Sequence, residues 1–369
     1  MRKLAVFTTA VAVTMFGVAN AQNASPVATT QPASVTAPAA ATPAAPVDVQ
    51  TAMAAYAEFQ TDVSDLRAAH IAANADLEHA LDAVARHNRD DMTRGWIAYG
   101  AATAAQSTAF DQGVRDAAAY YGRDAVIWAI AADPYYARGL RGAADATKLA
   151  LDAANADGAR VISVADRYQE MAYSLQRQRW ANAVAPQQAQ RLQRIRALGA
   201  PGGATLTLAA DVSPRLTVTP GSFSPSADPT AFGGRRFWDA LRGGGDVVTV
   251  ASAPPPLRVN GPRGEAVARM TSIAALQVLG ASSDHASQIS QMLNDQRSRD
   301  CFEMAQLQLY QCMSAAHFRY ENAFCLGQHG LRDVGLCISA VAEPDPSAMT
   351  ALPTAAAAAP APTTTARQQ

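Results

Sequence analysis

Hydrophobic residues recur mainly at helical spacing along the chain, and the clearest repeat lies in residues 49–87. Apolar and small side chains there alternate at intervals of three and four residues, as in a long helix packed in the manner of a coiled coil. Asp48 precedes the repeat, where its side chain can cap the helix. One set of seam positions is Val49, Tyr56, Val63, His70, Leu77 and Val84, and the other is Ala52, Phe59, Leu66, Ala73, Ala80 and His87. We therefore expect one long helix with His70 on its packed seam.

Helical periodicity continues beyond the repeat in shorter segments that glycine and proline residues separate. Residues 156–180 and 187–198 each show a helical pattern, and Pro186 divides them. A stretch rich in glycine and proline then ends the pattern. The chain therefore predicts an α-helical bundle domain over residues 48–198.

Acidic and basic residues are distributed unevenly within this domain. Residues 50–91 hold eight acidic residues against three arginines, whereas residues 156–198 hold seven arginines against three acidic residues. The simplest interpretation is that the oppositely charged helices pack side by side, where complementary charge can fix their register. The alternative is a basic surface that binds an anionic polymer of the cell envelope.

The densest aromatic patch of the chain straddles a predicted helix boundary at Asp133-Pro134. In one interpretation its rings form the core of a bundle that is otherwise rich in alanine, which is the commoner role of such residues. In the other interpretation they line a ligand-binding groove. The candidate ligand-binding residues are Tyr120, Tyr121, Trp128, Tyr135 and Tyr136.

Residues 199–262 interrupt the helical pattern with glycine and proline. Short β-like stretches are predicted at residues 205–209, 215–219 and 246–251. Aromatic residues near Trp238 indicate that part of this segment packs against the bundle. The segment is therefore either a flexible linker or an ordered excursion over the helices.

The four cysteines of the chain, which are Cys301, Cys312, Cys325 and Cys337, lie close together in a helical region. The signal peptide described below predicts export, and an even number of cysteines in so short a stretch of an exported chain predicts two disulfides. Their separations do not match zinc sites, which use pairs two to four residues apart. We therefore predict a disulfide-stapled helical module over residues 263–341.

Three disulfide pairings are possible, and the spacing favours one of them without fixing it. Pairing the first cysteine with the last, and the second with the third, gives a common midpoint near residue 319, as in an antiparallel helical hairpin with nested rungs. Residues 317–320 make a poor turn, however, and better helix breakers lie at residues 327–330. A turn at the later position would favour the other pairings, so the connectivity stays open.

The first 21 residues have the three parts of a cleavable signal peptide. Arg2 and Lys3 precede an apolar run over residues 4–18, and Ala-Asn-Ala ending at Ala21 supplies a cleavage site. The run is about 15 residues long, shorter than the roughly 20 that span a bilayer. We therefore expect a periplasmic or secreted bacterial protein with no membrane insertion after signal cleavage.

Composition adds two disordered ends and excludes some partners. Residues 22–47 and 342–369 are dominated by alanine, proline and threonine, which predicts a disordered spacer and a disordered tail. The chain has a formal net charge of −1, which argues against a nucleic-acid partner. No motif indicates a metal or another cofactor.

Only one weak hydrolytic site is suggested by the residue types. Glu303 and Glu321 lie in the cysteine module with His317 and His329 nearby, and a positioned carboxylic acid is what glycan cleavage requires. The sequence contains none of the nucleophile motifs of common hydrolases, and we assign no catalytic residue.

These patterns predict a mainly α-helical protein with coiled-coil-like packing, an irregular middle with a few short strands, and a disulfide-stapled helical module at its end. The favoured function is a non-enzymatic scaffold or interaction protein of the cell envelope, with an envelope protein or polymer as its partner. A homo-oligomer through residues 49–87 is a further prediction. The alternatives are a periplasmic binding module for an anionic or glycan ligand and an all-α glycan hydrolase.

Overall fold

The computed structural model describes residues 47–204, Trp238 and residues 256–346, and these residues are mainly α-helical. The predicted signal peptide, nearly all of the predicted spacer, the three predicted strands and most of the predicted tail lie outside the described residues. The mainly α-helical fold class is confirmed.

Most of the described residues belong to α-helices, with short 3-10 turns and one π-helical segment between them. The helices are α1 (Val49–Ala68), α2 (Asn74–Ala85), α3 (Arg89–Ala104), α4 (Thr108–Tyr121), α5 (Arg123–Ala132), α6 (Ala143–Leu175), α7 (Gln188–Leu198), α8 (Gly264–Val278), α9 (Ala286–Met292), α10 (Gln296–Ala315), α11 (Arg319–Cys325) and α12 (Asp333–Ser339). The 3-10 turns are Tyr136–Gly139 and Gly261–Arg263, and the π-helical segment is Leu326–Arg332.

Two short strands join the start of the cysteine module to its end. Strand β1 (Leu257–Val259) pairs antiparallel with β2 (Ala342–Pro344). Neither strand is apparent from the sequence, which assigns the first to the irregular middle and the second to the tail. Each strand has only three residues, too few for an alternating pattern to stand out.

The predicted single helix over residues 49–87 is wrong, because the chain leaves helical geometry at residues 69–73. Arg167 of α6 donates a hydrogen bond of 2.7 Å to the carbonyl oxygen of Ala69, which satisfies the end of α1. The Asp76 carboxylate accepts hydrogen bonds of 2.9 and 2.8 Å from two backbone N–H groups in the break, which satisfies the start of α2. Two side chains outside the apolar repeat therefore end one helix and begin the next.

The apolar seam on either side of this break is buried within the protein. Tyr56, Val63 and Leu77 are fully buried, and α1 packs chiefly against α3. His70 is exposed in the break, so its predicted place on a packed seam is wrong. The homo-oligomer through residues 49–87 stays a prediction, and it would have to use a surface other than this buried seam.

Helix α3 occupies the centre of the fold, where it packs against α1, α6, α8 and α10. Trp96 on this helix is almost wholly buried. A Cβ atom at Gly95 would lie 2.7 Å from the carbonyl oxygen of Ala52, so the close approach of α1 and α3 depends on glycine here.

The predicted pairing of oppositely charged helices is confirmed for α2 and α7. Arg191 and Arg194 both bond to the Glu78 carboxylate, Arg191 at 2.6 Å, and Arg194 also contacts Asp82 at 2.9 Å. Arg191 is buried, and its contact with Glu78 is therefore less screened by solvent than a surface pair. These contacts join the acidic first part of the bundle to its basic last part.

The nested disulfide pairing is the one that the structure contains. Cys301 is bonded to Cys337, and Cys312 is bonded to Cys325. The paired Cα atoms are 5.7 and 5.6 Å apart, within the usual range for a disulfide. The two bonds link α10 to the antiparallel arm formed by α11, the π-helical segment and α12.

The turn of this hairpin falls in the stretch that the sequence marks as a poor turn. Helix α10 ends at Ala315 and α11 begins at Arg319. The Glu321 carboxylate accepts hydrogen bonds from the backbone N–H groups of His317 and Phe318, at 2.5 and 2.9 Å. This side chain caps the start of α11 and so stabilises a turn that lacks glycine and proline.

The bundle and the cysteine module share one hydrophobic core. Helix α6 packs against α12 and the π-helical segment. A Cβ atom at Gly158 of α6 would lie 2.7 Å from the carbonyl oxygen of Gly335, so these helices approach each other through glycine. The described residues of the two predicted helical regions therefore pack together around common apolar residues.

Candidate functional site

Four large aromatic side chains stand exposed on α4, α5 and the following turn. The exposed fractions are 80% for Tyr120, 64% for Tyr121, 73% for Trp128 and 47% for Tyr135. We call these four residues the aromatic face. Contiguous exposed apolar surface often marks a binding site, and within this set the Tyr120 and Tyr121 rings are in direct contact.

The local sequence explains why these rings point away from the core. Helices α4 and α5 are separated only by Gly122, whose φ of 91° favours glycine. On α5, Trp128 lies on the side opposite the buried apolar residues, whereas Tyr120 and Tyr121 are exposed in the last turn of α4, beyond its buried residues. The buried residues are Phe110, Val114, Val126, Ile127 and Ile130.

The interpretation of the aromatic cluster as bundle core is wrong for the four residues of the aromatic face. Among the predicted residues, only Tyr136 is partly buried and packs against the core. Alanine fills the interior instead, because the helices approach closely at alanine and glycine positions. The pattern located the cluster in the sequence but could not show on which side of the helices it lies.

The aromatic face is bordered by arginines and by paired charges. The Tyr120 and Tyr121 rings meet edge to face, with centroids 4.6 Å apart. The Arg138 guanidinium lies 5.9 Å from the centre of the Tyr135 ring, within the range of a cation–π contact. Arg141 pairs with an acidic residue of α4 at 2.8 Å. The surface thus combines exposed rings with a mixed-charge border.

The glutamates proposed for glycan hydrolysis have structural contacts. Glu321 caps α11, as described above. The Glu303 carboxylate accepts a hydrogen bond of 2.7 Å from Arg89. His317 is exposed, and His329 contacts Asp333 at 2.8 Å. The structure therefore gives each of these side chains a local partner or exposure to solvent, without a contact between the two glutamates among the described residues.

A buried polar network lies between α1 and α6, and Trp238 completes it. The Asp157 carboxylate accepts hydrogen bonds of 2.9 Å from the Tyr56 hydroxyl and 2.9 Å from the Trp238 indole. Tyr99 packs against the Tyr56 and Trp238 rings, with both pairs of centroids 5.1 Å apart. The predicted packing of the middle segment near Trp238 is confirmed at this residue, which is helical and buried.

Burial keeps the tyrosines of this network protonated. It raises the pKa of Tyr56 well above its usual range, and the neighbouring Asp157 charge acts in the same direction. Burial likewise raises the pKa of Tyr99. Gln60 continues the network by donating to the Tyr56 hydroxyl at 2.8 Å and accepting from Arg160 at 2.7 Å. The network is enclosed in the core and serves to hold α1, α6 and Trp238 together.

Sequence reasoning missed the polar members of this network. Asp157 and Arg160 stand three apart in an alanine-rich helix, and both are buried. Charged residues on the apolar side of a helix signal a buried polar contact, because an unpaired buried charge is costly. The helical register of α6 is therefore the signal that could have found them.

The described residues contain neither a group suited to a metal ion nor a helix suited to cross a membrane. Across residues 47–204 and 256–346 and at Trp238, no group of three or more histidine, cysteine, aspartate or glutamate side chains could hold a metal ion. No helix in the same part of the chain is long and apolar enough to cross a membrane. No family model, curated protein or solved structure matched the chain in the comparisons.

Proposed function

We propose that this is an exported, non-enzymatic interaction protein of the bacterial cell envelope, and that it binds a protein partner through its aromatic face. The observation that carries the proposal is the exposure of Tyr120, Tyr121, Trp128 and Tyr135 on α4, α5 and the turn that follows, because both helices also bury apolar residues in the core. A rigid support lowers the entropy lost when such rings are buried by a partner.

The composition of the aromatic face favours a protein partner. Tyrosine, tryptophan and arginine are the residues most enriched at the energetic centres of protein interfaces. At the border, Arg141 pairs with Asp116 at 2.8 Å and Arg123 lies 3.4 Å from Asp124. Because these arginines already face carboxylates, the surface is less suited to an anionic polymer than to a protein of mixed charge.

The proposed compartment rests on the disulfides and on the predicted signal peptide. Two disulfides in one small module are typical of proteins in oxidising compartments. The predicted signal peptide would direct the chain to the periplasm or beyond the cell. The partner is accordingly proposed to be an envelope protein with an apolar surface that the rings can cover.

Site-specific photo-cross-linking in intact host cells tests this proposal. A photoreactive phenylalanine analogue replaces Trp128 in one variant and Tyr173 in a matched control, since Tyr173 is 63% exposed on α6. We expect the variant at position 128 to form one discrete adduct that a protease destroys. We expect no such adduct from position 173.

Three results would overturn the proposal. Adducts of the same mass and yield from both positions would show that the partner contacts the protein surface non-specifically and not through the aromatic face. The absence of any adduct from position 128, or an adduct that glycan-degrading enzymes remove and proteases do not, would exclude a protein partner at this surface. The last outcome would instead favour the glycan-binding alternative.

A further inference from the structure

A cleft lined by three cationic side chains lies next to the aromatic face. It has a volume of about 320 Å³ and is formed by the first turns of α6, the 3-10 turn before that helix, and strand β1. Each of these elements contributes one cation, and none of the described residues that line the cleft is acidic. The cations are Arg138, Lys148 and Arg258. We call this feature the cationic cleft. A concave surface lined by charge of one sign attracts groups of the opposite sign.

Most of the remaining lining of the cationic cleft is apolar. Ala143 and Leu151 of α6 are buried in the core, and Leu257 and Val259 of β1 are partly buried. Thr147 adds a hydroxyl group. An apolar lining with a few charged groups is typical of sites that hold a group with both apolar and ionic parts. The lining therefore suits a side chain with an aliphatic stem and an anionic end.

The charge of Arg138 is not matched by a carboxylate. This exposed side chain makes no ion pair or hydrogen bond with the residues that the structure describes. Lys148 pairs with Asp152 at 2.5 Å, and Arg258 pairs with Glu343 at 2.7 Å. Three cations against these two carboxylates leave a net charge of +1 at the cleft. The two paired cations are themselves exposed, and exposed pairs are weak, so both cations are able to contact a further carboxylate.

Arg138 also connects the cationic cleft to the aromatic face. Its guanidinium lies 5.9 Å from the centre of the Tyr135 ring. At the border of the aromatic face, Arg123 and Arg141 each contact a carboxylate of the chain, whereas Arg138 does not. A partner that covers Tyr135 therefore brings its own side chains next to a cleft with unmatched positive charge.

We propose that the protein partner places an acidic side chain in the cationic cleft, where the carboxylate pairs with Arg138 beside Tyr135. This inference rests on the proposed function, because it names the chemistry of the partner at the same surface. A guanidinium presents its N–H donors in a fork that matches both oxygens of a carboxylate. A charge pair of this kind favours the correct partner and speeds association, and a basic segment at the same place would be repelled.

Zero-length coupling with a water-soluble carbodiimide tests where the carboxylate of the partner lies. The reagent activates a carboxylate, and a lysine amine in contact with it forms an amide while the reagent leaves as a urea. Lys148 is the only lysine outside the predicted signal peptide, so an amide from a lysine of this chain reports on the cleft. In the complex with the protein captured at position 128, we expect mass spectrometry to find Lys148 joined to an aspartate or glutamate of that protein. Lys148→Arg keeps the charge but lacks the amine, and it should bind the same protein without this product.

The affinity of the same partner tests the charge at Arg138. Arg138→Gln removes this charge and keeps a polar side chain. We expect the dissociation constant to rise about fivefold at low salt and the difference to shrink at high salt, because salt screens the pair. Arg177 is an exposed arginine just beyond the far end of the 33-residue α6, about 50 Å from the start of that helix. Arg177→Gln is the matched control and should bind the partner as the native protein does.

Two results would overturn this inference and leave the proposed function in place. The first is a partner that cross-links at position 128 but forms no amide with Lys148. The second is the same dissociation constant for the native protein and the Arg138→Gln variant. Failure of position 128 to capture any protein would remove the proposed function, and this inference with it.

Discussion

His87 is buried next to Asp62, and this burial has a consequence for stability. Burial lowers the pKa of His87 in the folded protein below its ordinary value of 6.5. Between the folded and unfolded pKa values the unfolded chain binds the proton more readily. The free energy of unfolding is therefore expected to fall as the pH drops below about 6.5, and His87 adds no pH dependence above that value.

Urea unfolding between about pH 5 and pH 8 measures this contribution. The His87→Gln variant should lose less stability than the native protein over the acidic part of this range. His79→Gln, at an exposed position, should keep the native slope. Equal slopes in the native protein and the His87→Gln variant would show that His87 is not held neutral by burial.

The exposure and the contacts of single residues were harder to predict from the sequence than their positions in it. The aromatic cluster was located correctly, but the exposure of Trp128 was not predictable, because alanines and glycines elsewhere allow the helices to pack without it. His87 was placed on a packed seam and is indeed buried. Its pairing with Asp62, 25 residues earlier, depends on the angle between α1 and α2, which local periodicity does not specify.

At the scale of elements, the π-helical segment explains how both disulfide rungs fit one hairpin. Cys301 and Cys312 are 11 residues apart, which leaves them about 20° apart around a regular α-helix. Cys325 and Cys337 are 12 residues apart, which would leave them about 120° apart. The π-helical segment at residues 326–332 takes up one additional residue and returns Cys337 to the side of Cys325.

The two rungs are expected to stabilise the protein unequally. Their sequence separations are 36 and 13 residues. Constraint of the unfolded chain contributes about 4 kcal/mol for a loop of the first size and about 3 kcal/mol for the second. The Cys301→Ala/Cys337→Ala variant should therefore lose more unfolding free energy than the Cys312→Ala/Cys325→Ala variant. Urea unfolding measures both, and a larger loss for the shorter loop would contradict the chain-entropy account.

The sequence predicted the buried faces of the helices better than it predicted where the helices begin and end. The seam of residues 49–87 gave the buried face of α1 and α2, since that face repeats every three to four residues. The break between them was missed, because it depends on Arg167, a residue nearly 100 positions away. The turn before α11 was also missed, because it contains no glycine or proline. The Glu321 side chain stabilises this turn by capping the start of α11.

At the scale of the whole molecule, a single core supports the helices that carry the aromatic face. The bundle and the cysteine module bury their apolar sides against each other. Helices α4 and α5, which carry most of the aromatic face, are fixed in this core through their buried residues. Binding of a partner at the aromatic face should therefore proceed without rearrangement of these helices.

The affinity of the cross-linked protein partner for purified variants tests the central claim most directly. If the aromatic face is the centre of the interface, Trp128→Ala should weaken binding about 30-fold or more, the effect of losing about 2 kcal/mol at an interface hot spot. Tyr173→Ala, which removes an exposed ring elsewhere on the surface, should leave the dissociation constant nearly unchanged. Equal dissociation constants for the native protein and the Trp128→Ala variant would contradict the account.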